Sequence, residues 1–179
     1  MGKQMSKVPD SERHALTLEQ LQRHLESLGL AARRLDTGDR PPGQVLLVQL
    51  PKDRHRREHA AALAFIPLSP QQIPHSALLQ ITIDLPHVSA PADPTALDRV
   101  LGQLNPRMAL GQFARGASGR LMCRHVLCLA NDRPPDPGVL EDALGLLLFA
   151  LDAFLPLLER VALGAMSARD AIDALSVKA

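Results

Sequence analysis

The sequence predicts an α+β domain, an antiparallel five-stranded sheet with helices packed on one face. Three observations predict it. Leu79, Ile81, Ile83 and Leu85 alternate with Gln80, Thr82 and Asp84, the period-2 pattern of a strand with one buried and one wet face. The links between successive strand-like runs, Lys52 to His59 and Ser69 to His75, are too short for parallel crossovers, so those strands form a meander. The stretch Val139 to Leu163 switches to a helical period and is the longest apolar run in the chain.

The elements follow in order. Residues 1–15, MGKQMSKVPDSERHA, are polar and aperiodic and read as a flexible arm before one domain spanning 16–179. Thr17 and Gln20 have capping-box spacing, and Leu18, Leu21, Leu25 and Leu28 form the buried stripe of a first helix that Gly29 stops. Turn signals at Thr37-Gly38-Asp39 and Pro41-Pro42-Gly43 precede three strands at Val45–Leu50, Ala61–Leu68 and Leu78–Leu85. Asp93-Pro94 caps a second helix with Leu97, Val100, Leu101 and Leu104 on one face, ended by Asn105-Pro106. Strands around Ala109–Ala114 and Arg120–Ala130 are joined by a turn at Gly116–Gly119. Asp136-Pro137 opens the long helix, Pro156 should bend it, Gly164 stops it, and Ser167 with Asp170 opens a last short helix.

Charge excludes some functions. The 20 Lys and Arg are nearly balanced by 19 Asp and Glu, and the chain has four Phe but no Trp or Tyr. A nucleic-acid surface needs a concentrated positive face and, for single strands, aromatic platforms. The segment Lys52–Arg57 is the one basic cluster, and it carries the alternative reading of a nucleic-acid-associated stress-response factor. Cys123 and Cys128 lie five apart in one strand and point to opposite faces, so they cannot bridge each other. With no apolar core of secretory length at the N-terminus, the expected location is the cytoplasm. Asp152 and Pro156 interrupt the long apolar run, which argues against a membrane span.

The long helix has more apolar circumference than one sheet requires. Leu140, Leu147, Leu151, Phe154 and Leu158 suffice to cover a sheet face, whereas Glu141, Asp142, Gly145, Asp152, Pro156, Glu159 and Arg160 share a polar arc of roughly 100°. Leu146, Ala150, Ala153 and Leu157 on one flank, and Leu144, Leu148 and Leu155 on the other, are surplus. Surplus apolar surface points to a second chain. Of these, Leu144, Leu146, Leu148, Ala150, Leu155 and Leu157 are the expected contacts with a protein partner, and a homodimer is the expected assembly.

Asn105, Gly111, Phe113, the Gly119 turn, the strand containing Arg124 and Leu127, and the helix ending Leu158-Glu159-Arg160-Val161 together resemble the YbjN family. The likeness is best from Asn105 to Leu163. Its members are described as bacterial sensory transduction regulators with a fold similar to type III secretion chaperones. The resemblance implies a chaperone-like order α-β-β-β-α-β-β-α(-α), dimerisation, and binding of extended or helical client segments. It implies no catalytic residues.

Enzymatic chemistry finds little support. His55-Arg56-Arg57-Glu58-His59 matches the HxxEH spacing of inverted zinc peptidases, but the connection is too short for the helix that would aim both imidazoles at a metal. Cys123 and His125 share a strand face without a second ligand pair. There is no Gly-rich phosphate loop and no G-x-S-x-G elbow. The expectation is a protein without catalytic, metal or cofactor residues that works by binding protein.

Overall fold

The computed structural model describes residues 10–39, 42–69, 71–88, 91–116 and 118–177. In chain order these form α1 (Asp10–Ser27), β1 (Ala32–Asp39), β2 (Pro42–Gln49), β3 (Ala60–Phe65), β4 (Ser76–Leu85), α2 (Pro94–Leu104), β5 (Gln112–Arg115), β6 (Leu121–Ala130), α3 (Pro137–Ala162) and α4 (Ala168–Val177). All pairings are antiparallel, in the open order β1-β2-β3-β4-β6-β5. The α+β class and the meander β2-β3-β4 therefore match the sequence reading.

Six strands, rather than five, make the sheet. The added one is β1, ARRLDTGD, which has no apolar alternation and forms by pairing on one side only, Ala32 opposite Val48 and Leu35 opposite Val45. Its arginines suit an edge, where charge deters further strand addition. The start of α1 also differs. Residues 10–15, assigned to the arm, are helical, so Thr17 lies inside the helix and not at its cap. Asp10 and Glu12 place negative charge in the first turn, and Arg13 pairs with Asp10 at 2.5 Å. His14 stacks on Phe65 with ring centroids 3.9 Å apart. Residues 1–9 of the proposed arm lie outside the described residues.

Register builds one apolar face. Leu46 pairs with Leu63, Leu63 with Ile81, and Ile83 with Cys123, all fully buried. Leu18, Leu21 and Leu25 of α1, Leu97 and Leu101 of α2, Leu140, Leu147 and Leu151 of α3, and Ala171 and Leu175 of α4 join these in a single core. The opposite sheet face has no helix among the described residues, and it carries a polar cluster among half-buried apolar side chains such as Leu47, Leu78 and Val126. Arg124 Nε donates to Gln80 Oε1 at 2.7 Å, and Gln80 Nε2 donates to Thr82 Oγ1 at 3.1 Å.

The caps follow the sequence signals. Asp93 Oδ1 accepts from Thr95 N and Ala96 N, Asp136 Oδ1 accepts from Gly138 N, and Ser167 Oγ accepts from Asp170 N. Gly164, at φ +71, ends α3, and Ala165 N donates back to Arg160 O.

Candidate protein-binding face

The chain leading into the face is held by two local devices. Asn105 caps the end of α2 and reaches β5 like a strand neighbour. Its Nδ2 donates to Phe113 O and its Oδ1 accepts from Phe113 N, both at 2.9 Å. Gly111 then turns the chain into β5 with φ +73. A Cβ there would sit 2.7 Å from Leu147 Cδ2 and 3.1 Å from Arg124 O, so a glycine lets α3 settle directly on the backbone before β5. These contacts fix residues 107–110 alongside α3.

Between them lies an apolar groove of about 440 Å³, lined by Met108 and Leu110 on one side and by Leu146, Phe149, Ala153 and Phe154 of α3 on the other. Phe149 is 61% exposed and Leu146 43% exposed, the two large apolar residues that α3 turns outward from its middle.

The six expected contact residues divide. Leu144, Ala150 and Leu155 are buried in the chain's own core, and Leu148 and Leu157 are half-buried against it. The reason is that α1, α2 and α4 share the burial with the sheet, so α3 is embraced over a wider arc than a single flat layer would cover. Leu146 alone of the six stays exposed. Phe149 was missed because it falls within the polar arc, flanked on the wheel by Asp142, Gly145 and Pro156. Its three-and-four spacing from Leu146 and Ala153 was the available signal.

The polar arc of α3 is divided as well. Glu141 Oε1 accepts from His24 Nε2 at 2.7 Å, Asp152 Oδ1 accepts from Arg54 N at 2.7 Å, and Glu159 Oε1 accepts from Arg57 Nη1 at 2.7 Å. The last two bonds come from the loop after β2, whose centre is Asp53. This carboxylate is fully buried and accepts from His55 N, Arg57 N, Arg57 Nε and His59 Nε2 at 2.9, 2.8, 2.5 and 3.0 Å. Desolvation pushes the Asp53 carboxyl up, but the hydrogen bonds from His59 and Arg57 outweigh it and hold it well below its ordinary 3.8.

This loop contains the HxxEH spacing and the basic cluster. His59 turns to Asp53, Glu58 pairs with Lys52 at 2.9 Å, and His55 is exposed, so the three side chains of that pattern do not converge. No group of three or more His, Cys, Asp or Glu able to hold a metal occurs among the described residues. Lys52, Arg54 and Arg57 face Glu58, Asp152, and Asp53 with Glu159, respectively, which leaves Arg56 as the basic side chain of the loop with no carboxylate partner among the described residues. Arg56 also carries the strained φ of +62 that closes the loop.

Cys123 is buried, and desolvation pushes its thiol up to about 12, whereas Cys128 is exposed on the opposite sheet face. Both are free. No helix among the described residues is long and apolar enough to cross a membrane. No family model matches the chain, and no curated protein matches it.

Proposed function

We propose that this chain is a non-enzymatic protein-binding regulator or chaperone-like adaptor that acts through apolar surface of a homodimer. The carrying observation is the outward pair Leu146 and Phe149 beside the groove at Met108 and Leu110. An exposed aromatic next to an unfilled apolar groove is the usual composition of the centre of a protein interface. Fully burying a side chain of this kind contributes up to about 1.5 to 3 kcal/mol, so the two contribute measurably to association. The resemblance to the YbjN family and to type III secretion chaperones supports the same class.

A photo-reactive amino acid in place of Phe149 tests the reading. The expected result is a covalent adduct with a protein chain, a second copy included, and no adduct from the same group at exposed Asp173 on α4. Equal yields at the two positions, or none at 149, would overturn it.

A further inference from the structure

We infer that the outer seam of α3 pairs with the same seam of a second copy, antiparallel about a two-fold axis that passes between Phe149 and Ala153. The inference rests on the protein-binding reading above, which already takes a second copy as partner, and adds the helix face and the register of that pairing. Asp142, Leu146, Phe149, Ala153, Pro156 and Arg160 recur at spacings of four and three residues. At about 100° per residue they occupy roughly 80° of the helix, opposite the buried stripe. The seam is its own complement. Under the two-fold, Asp142 meets Arg160 of the second copy, Leu146 meets Pro156, and the bulky Phe149 meets the small Ala153, with each contact made twice.

Charge singles out this occupant. Among the acidic residues of α3, Glu141, Asp152 and Glu159 are each engaged within the chain, by His24, by the backbone of Arg54, and by Arg57. Asp142 and Arg160 are exposed and have no ion pair among the described residues. They are the two ends of the seam and carry opposite signs. Parallel pairing would set like against like, whereas antiparallel pairing neutralises both ends. Their separation along one helix, eighteen residues or about 27 Å, prevents them from meeting within one chain.

Charge reversal tests the register. Asp142→Arg alone and Arg160→Asp alone should each weaken self-association by on the order of tenfold to a hundredfold, because each creates two like-charge contacts. An equimolar mixture of the two single variants restores complementary contacts and should associate like the wild type, as should the double variant. Singles that associate like the wild type, or a mixture that fails to recover, would overturn the register. A second measurement does not depend on the reversed variants folding. In Arg160→Lys, a zero-length carbodiimide should join the Asp142 carboxylate of one chain to the amine introduced at position 160 of another, and a dimer lacking that linkage would overturn the pairing. A wild-type monomer whose position 149 cross-links to a different protein would overturn the dimer and its register while leaving the protein-binding part of the reading above intact.

Discussion

At the scale of single residues, buried polarity and close packing decide what can change. Asp53 accepts four hydrogen bonds while shut away from water, so Asp53→Ala leaves the Arg57 and His59 donors without their partner. The expected cost is about 2 to 4 kcal/mol, read as a fall in chemical-denaturation midpoint. Because the folded state holds this carboxyl below its ordinary 3.8, its contribution is present above that pH and is lost as pH falls through and below it. The stability of the wild type should therefore decline in acid more steeply than that of Asp53→Ala. Gly111→Ala forces a methyl against Leu147 and the Arg124 carbonyl at a positive φ and should cost about 1 to 3 kcal/mol. Native protein treated with a thiol reagent should label Cys128 and spare Cys123 until unfolded, since burial holds the Cys123 thiol at about 12. Equal labelling of both in the native state would contradict the placement of β6.

At the scale of elements, the Asn105 side chain joins α2 to β5 by a donor and an acceptor together. Asn105→Asp keeps the shape but sets a carboxylate oxygen against the Phe113 carbonyl, and should destabilise the fold by about 1 to 3 kcal/mol, read as a lower thermal midpoint. Elements whose signal is local were legible in the sequence. The Asp93, Asp136 and Ser167 caps, the Gly29 and Gly164 stops, and the alternation of β4 all formed as read. β1 was not legible, because a polar edge strand owes its conformation to β2, its partner, and not to any pattern of its own. The first turns of α1 were hidden for a similar reason. His14 gains its place by stacking on Phe65, a contact about fifty residues away in sequence. On α3 the wheel predicts partner contacts from surplus apolar surface at six positions, of which Leu146 alone is exposed. Leu144, Ala150 and Leu155 are taken by neighbouring helices, whose positions no period in α3 encodes, and Phe149 was concealed among polar neighbours.

At the scale of the whole molecule, an open sheet with its helices gathered on one side leaves two broad surfaces. On the sheet face without helices, the polar cluster of Arg124, Gln80 and Thr82 is bonded internally. The outer face of α3 turns Leu146 and Phe149 outward between Asp142 and Arg160, which have no ion pair among the described residues. Because Phe149 contributes little to the chain's own core, Phe149→Asp should leave the thermal midpoint within the small range of ordinary surface changes. Its effect belongs to association. Sedimentation equilibrium across a concentration series, with wild type and Phe149→Asp side by side, tests this most directly. The expected result is a reversible dimer for the wild type and association weakened about a hundredfold or more for the variant. A wild type that stays monomeric throughout, or a variant that dimerises equally well, would contradict it.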